Sequence, residues 1–148
     1  MRIYLDTCVW CRPFDQQSPR IKAEAEAFFA ILQGIDRGRF SVLGSVVLEE
    51  EIQRIGDQKK REAVLKLMPR AIPERVEHIS ESMVARLKQM TGVKDWDAFH
   101  LTAALEGEAD FFVTVDQHIL RQADRIAEFG LKVRHPVEFL EEVTSDEH

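Results

Sequence analysis

Short apolar runs recur along this chain with helix-length stretches between them, and that alternation restricts the fold more than any other feature. "RIYLD" at 2–6, "FSVLGS" at 40–45, "RVEHI" at 75–79, "ADFFVTVD" at 109–116 and "LKVRH" at 131–135 read as strands. Most are continuous apolar runs rather than clean alternations, the pattern of strands covered on both faces. "SPRIKAEAEAFFAILQGIDRG" reads as a helix, with Ser18 as N-cap, Pro19 at the first helical position and Ala25, Phe28, Phe29 and Leu32 at helical spacing. Another opens after Ser45 and covers 46–55, and one over 59–71 is expected to end near Pro69. Ser80 caps a helix that stops at Gly92, and helices follow over 95–108, 118–130 and 136–143. Strand–helix alternation of this kind predicts an α/β fold, a three-layer α/β/α sandwich around a central parallel sheet of four to five strands.

The 148 residues suffice for one domain over 1–148, with 144–148 expected to form a disordered tail. Apolar residues at 45% and charged residues at 31% fit a folded domain with a solvated surface. The apolar runs are far short of a membrane span. The start "MRIYLD" has no signal-peptide pattern, and two cysteines suit a reducing compartment, so the expected location is the cytoplasm, away from membranes. The net charge of −6 argues against a surface that grips nucleic acid mainly by neutralising phosphates. It does not exclude a nucleic-acid enzyme, because a carboxylate site around a divalent ion is acidic by construction.

In parallel sheets ligands bind beyond the carboxyl ends of the strands. Asp6 closes the first strand and Asp116 the fourth. Two carboxylates at one edge repel and raise one another's pKa unless a cation lies between them, and Mg²⁺ or Mn²⁺ takes oxygen ligands. Asp97, in the first turn of the "DWDAFHLTAA" helix, and a member of the Glu49–Glu50–Glu51 run are placed to join them. Helical geometry sets Glu49 and Glu51 about 200° apart and Glu50 about 100° from each, so Glu49 and Glu51 cannot both face the site.

Four segments, "IYLDT", "SVVLEEEI", "DAFHLTAA" and "FFVTVD", in this order, resemble the PIN domain, the nuclease fold of VapC-type toxins and several RNA-processing enzymes. The resemblance runs from residue 3 to about residue 140. It implies a parallel sheet and an acidic pocket holding Mg²⁺ or Mn²⁺, with Asp6, Asp97 and Asp116 as the carried-over acids. The family spacing from Ser45 points to Glu51, followed by Ile52, with Glu49 as the alternative. It implies a metal-dependent endoribonuclease that hydrolyses RNA phosphodiester bonds and leaves a 5′ phosphate. Asp6 and Asp97 would hold the principal ion; Glu51 and Asp116 would act through water or a second ion. Thr114 matches a hydroxyl position that orients a carboxylate or water. A VapC-like role further implies a toxin–antitoxin pair, an antitoxin partner and a homodimer.

Each residue also has a plainer reading. Asp6 suits a turn cap, Asp97 a helix N-terminal acid, Asp116 an N-cap, and the glutamate run a solvated helix face. His100 reads as a packed, hydrogen-bonded histidine rather than a catalytic one, and His118 as a rim residue. Trp10 and Phe14 suit either base stacking or core packing. Arg12, Arg20, Lys94 and Arg121 are candidates for phosphate contact. Cys8 and Cys11 form C-x-x-C, which can mark a redox dithiol, but the order of elements does not suit a thioredoxin, and zinc would need two further ligands. A strand-end aspartate can also serve as a phosphatase nucleophile, yet Asp6-Thr7-Cys8 lacks the second acid of haloacid-dehalogenase-like enzymes. A non-catalytic PIN-like module binding RNA or protein is the remaining alternative.

Overall fold

The computed structural model describes residues 1–71 and 74–145. Among them five strands form one parallel sheet: β1 (Arg2–Leu5), β2 (Ser41–Ser45), β3 (Glu74–Val76), β4 (Phe111–Val113) and β5 (Lys132–Arg134), in the order β3-β2-β1-β4-β5. The chain builds outward from β1 to β3, then returns to β1's other side for β4 and β5. The topological switch point therefore lies between β1 and β4, where Ile3 pairs with Phe111 and Leu5 with Val113.

Helices cover both faces, giving the expected three layers. Ile3, Leu5, Val42, Phe111 and Val113 pack on one face against α2 (Pro19–Asp36), α4 (Gln58–Ala71) and α9 (Pro136–Ser145). Tyr4, Leu43, Phe112 and Val133 pack on the other, against α5 (Glu81–Thr91), α6 (Asp95–Glu106) and α8 (Ala123–Ala127). Alternate side chains of one strand thus enter two cores, which is why the strands read as unbroken apolar runs. Helix α3 (Val46–Gln53) feeds both cores, with Leu48 and Ile52 in the first and Val47 in the second. Ser18, Ser45 and Ser80 each cap a helix by accepting a backbone N–H, and α5 ends at Gly92 with a left-handed φ of 75°.

The differences from the sequence reading have local causes. A five-residue helix, α1 (Thr7–Cys11), follows β1 directly and continues into a 3₁₀ turn at Arg12–Phe14. Five residues show no helical period, so nothing in the pattern signals it. β4 stops at Val113 rather than reaching residue 116, because its partner β1 ends at Leu5. Asp116 consequently caps α7 (Gln117–Leu120) instead of closing a strand. The single helix expected over 118–130 is two, α7 and α8, separated by a turn at Arg121–Gln122 in which the Gln122 amide donates to the Ile119 carbonyl. β3 lies at 74–76 rather than 75–79. α4 carries on through Pro69 to Ala71, forgoing the hydrogen bond that proline cannot donate. α9 reaches Ser145; the rest of the expected tail, 146–148, lies outside the described residues.

Two candidate nucleic-acid contacts prove to be internal. Trp10 is fully buried, donating Nε1 to the Leu5 carbonyl at 3.1 Å and meeting Phe28 edge-on. Arg12 is occupied by the buried Glu24 at 2.9 Å and by Asp15 at 2.8 Å, and Glu24 also meets His135 Nε2 at 2.6 Å.

Gly34 marks a close approach between α2 and the Phe40 ring. A Cβ there would sit 2.4 Å from the ring, which is itself packed on Phe139. Alanine would gain about 1 kcal/mol of helix propensity but overpack a rigid contact, typically costing about 1–3 kcal/mol. Gly34→Ala is therefore expected to lower stability in urea unfolding; a rise in midpoint would show that Phe40 moves freely.

Candidate acidic centre

Asp6 leaves the end of β1 at the switch point and caps α1. Its Oδ1 accepts the Thr7 amide at 2.8 Å, and its Oδ2 accepts the Thr114 hydroxyl at 2.8 Å. Thr114 in turn accepts the Asp116 amide at 3.0 Å, so one hydroxyl ties the segment after β4 to the carboxylate after β1. Thr114 thus orients a carboxylate directly.

Glu51 reaches the same edge from α3. Its Oε1 lies 2.9 Å from His100 Nε2, and that nitrogen lies 3.8 Å from Asp6 Oδ1. Asp6, Glu51 and His100 each offer one ligand atom, all within 4.8 Å of one another. Glu49 instead pairs with Arg75, and Glu50 is exposed on the outer face of the helix. Helix geometry had separated Glu49 from Glu51, and a cationic partner at β3 holds Glu49 outward.

Asp97 and Asp116 stand outside that close trio but within its field. Asp97, in the first turn of α6, has its pKa pushed up to about 6 by burial and by the charges of Asp116 and Asp6. Asp116 spends Oδ1 on the N–H groups of His118, at 2.8 Å, and Ile119, at 3.4 Å, as the cap of α7. A small cleft of about 90 Å³ opens beside Asp97, with Lys94, His118 and Gln122 on its rim. A larger one, about 470 Å³, lies at the opposite end of the sheet among Arg2, Glu74 and Gly107; the acids, not the larger hollow, mark the site. Arg20 and Arg121 are exposed.

Burial also pushes the Asp6 pKa up, against the stabilising His100 charge and Thr114 hydrogen bond. Burial opposes the Glu51 carboxylate too, but hydrogen bonds from His100 and Thr7 outweigh it and hold its pKa down. For His100 burial disfavours the charged ring, and contact with Glu51 and Asp6 more than compensates, so its pKa is raised. Asp6 and Asp97, both raised by burial and by neighbouring carboxylate charge, are groups whose ionised form a cation would relieve. Ligand oxygens of one Mg²⁺ or Mn²⁺ lie about 2.0–2.2 Å from the ion; Asp6 and Glu51 each offer an oxygen within 4.8 Å of the other, so this pair of carboxylates fits such an ion with little contraction.

The same geometry speaks on the thiols. Cys8 and Cys11 are both free. Cys8 lies 3.5 Å from Asp6 Oδ2 and 3.5 Å from Thr114 Oγ1, and burial plus the Asp6 charge raise its pKa well above the ordinary thiol value. Burial pushes Cys11 up to about 11. Redox-active pairs rely on a depressed thiolate pKa, the reverse of what surrounds these two.

No family model matches the sequence, and no curated protein does. The fold does have a counterpart. It is similar to a chain in VapBC2 from Rickettsia felis, a complex bound to a DNA fragment from its promoter. The TM-score is 0.57 at 12% identity, covering 91% of this chain and 98% of that one. At that identity the likeness is one of fold, a five-stranded parallel sheet between helical layers. Among the described residues no helix is long and apolar enough to cross a membrane.

Sequence reasoning missed the contact between His100 and Glu51. His100 is packed and hydrogen-bonded as expected, yet its shortest Nε2 contact goes to the candidate site glutamate. The only available signal was a polar ring in an otherwise apolar helix, three residues after Asp97.

Proposed function

We propose that this protein is a PIN-like, Mg²⁺- or Mn²⁺-dependent endoribonuclease, with Asp6, Glu51, Asp97 and Asp116 as the acidic pocket. The observation that supports the reading is that Asp6 and Glu51, far apart in sequence, meet beyond the β1–β4 switch point, while Asp97 feels the charges of Asp116 and Asp6. A divalent ion, when bound, would supply positive charge to a phosphoryl oxygen and acidify an attacking water. The chain's own residues do the rest. Asp6, clamped between the Thr7 amide and Thr114, and Asp97, raised by burial and neighbouring charge, are the principal ligands. Glu51, held by His100, and Asp116 complete the pocket or order water. Lys94 and His118 on the rim are placed to meet substrate phosphates.

The fold likeness to a chain of a VapBC2 complex supports a toxin–antitoxin role, in which an antitoxin covers the pocket and the nuclease forms a homodimer. Two free thiols with raised pKa values fit a reducing cytoplasm.

The test is cleavage of single-stranded and structured RNA with Mn²⁺ or Mg²⁺. Cleavage is expected, with arrest by EDTA and with Cys8→Ser retaining activity. Activity that ignores EDTA and dies with Cys8→Ser would hand the chemistry to the thiols. RNA binding without turnover would make the protein a non-catalytic module.

A further inference from the structure

A buried hydrogen-bond chain runs from α3 through β1 and α6 into the acidic cluster. The Tyr4 hydroxyl lies 2.7 Å from Ser45 Oγ and 2.7 Å from His100 Nδ1. On the far side of the ring, Nε2 lies 2.9 Å from Glu51 Oε1, against 3.4 Å to Thr7 Oγ1. Tyr4 and Ser45 have no exposed surface and His100 has 1%, so water does not compete along the chain.

Counting hydrogens fixes its direction when the ring is neutral, and in the imidazolium Nε2 still carries a hydrogen for Glu51. The Leu48 amide donates to Ser45 Oγ at 3.0 Å, so the serine must place its own hydrogen elsewhere, and the Tyr4 oxygen is the acceptor in reach. Tyr4, whose pKa burial raises well above the usual phenol value, keeps its hydrogen and donates it to His100 Nδ1. With Nδ1 accepting, Nε2 carries the ring hydrogen and donates it to Glu51. The opposite direction would leave the fully buried Ser45 hydroxyl with no acceptor. In a neutral ring it would also press a bare nitrogen lone pair against a carboxylate oxygen. The rings are fixed as well: Tyr4 stacks on Phe112 at 5.4 Å between centroids, and meets His100 edge-on at 5.7 Å.

We propose that His100 is a positioning residue and not a metal ligand: the Ser45–Tyr4–His100 chain commits Nε2–H to Glu51, fixes that carboxylate, and takes the imidazole nitrogen out of the donor set. This rests on the metal-dependent reading above and sharpens it. A carboxylate set without that nitrogen favours hard Mg²⁺ or Mn²⁺, whereas a free imidazole nitrogen would draw in zinc. Proximity alone groups His100 with Asp6 and Glu51 as a ligand trio; the direction of the chain removes it from that trio.

The first measurement is a long-range ¹H–¹⁵N correlation spectrum of the metal-free, full-length protein. Nε2 of His100 is expected to bear hydrogen; a bare Nε2 overturns the proposal. The second is Mn²⁺ binding followed by electron paramagnetic resonance. Tyr4→Phe, which removes one hydroxyl and keeps the ring, is expected to weaken Mn²⁺ binding about 10-fold. His100→Gln, which retains an N–H donor, is expected to bind better than His100→Leu, with circular dichroism verifying that each variant folds. The pulsed spectrum of bound Mn²⁺ is expected to lack coupling to an imidazole nitrogen. Such coupling, or unchanged affinity in Tyr4→Phe, overturns the positioning role alone. A wild-type chain that takes up no Mn²⁺ overturns the metal-dependent reading and this role with it.

Discussion

Asp6→Asn is expected to abolish metal-dependent RNA cleavage, lowering the rate by about 10³-fold or more, the scale of several kcal/mol of lost charge stabilisation. The substitution keeps the shape of the side chain. The Thr7 amide retains an oxygen acceptor at Oδ1, and the Thr114 hydroxyl can rotate to accept from the new amide. The fold should therefore survive, and its metal-free stability should rise. The sign follows from burial, which raises the folded pKa of Asp6 above its unfolded value, so that ionisation at neutral pH works against folding. Asparagine never ionises and escapes that opposition. The paired measurements are cleavage rate and thermal midpoint with and without Mn²⁺. Wild type is expected to gain stability from Mn²⁺, about 2.7 kcal/mol when the ion is at 100 times its dissociation constant, while Asp6→Asn gains none. A variant that still cleaves RNA at the wild-type rate would remove Asp6 from the site.

Asp97 gives the second large effect, on stability rather than rate. Its folded pKa, about 6, lies above the ordinary aspartate value of 3.8. A carboxyl shifted upward contributes stability that is fully present below the unfolded pKa and is lost as pH rises through the folded one. Metal-free protein should therefore weaken between about pH 4 and pH 6 on account of this group. After allowance for its solvent contact the loss is about 1 kcal/mol. Asp97→Asn should flatten that decline. His100, also shifted upward, acts in the same direction at higher pH, and Glu51, shifted downward, acts oppositely in acid. The comparison of wild type with Asp97→Asn from pH 4 to 7, by urea unfolding in EDTA, isolates the one residue. Parallel curves would mean that Asp97 does not feel Asp116 and Asp6 as a close pair of charges would.

Much of the architecture was legible because burial on both faces writes continuous apolar strands, and because Ser18, Ser45 and Ser80 are strong helix-start signals that the helices use. The ends of elements were less legible, since they depend on partners elsewhere in the chain. β4 stops where β1 stops, and no feature of "FFVTVD" itself says so. Among the acids, the plain roles hold whether or not the proposed ones do: Asp6 and Asp116 both cap helices. The family spacing pointed to Glu51 with Glu49 as the alternative, but the ion pair that draws Glu49 away was not legible, because Arg75 comes from a strand more than twenty residues later. The His100–Glu51 bond was hidden for the same reason, being a contact between two helices that share no local pattern.

The position of β1 in the middle of the sheet has a consequence for synthesis on the ribosome. β1 is made well before β4, so the segment carrying Thr114 and Asp116 must emerge and slot in beside it before the Asp6 carboxylate acquires its clamp. A nascent chain that stops short of Thr114 can hold Asp6, Glu51 and His100 but lacks the hydroxyl that fixes Asp6. The proposed pocket is thus incomplete until the β4 segment has left the ribosome.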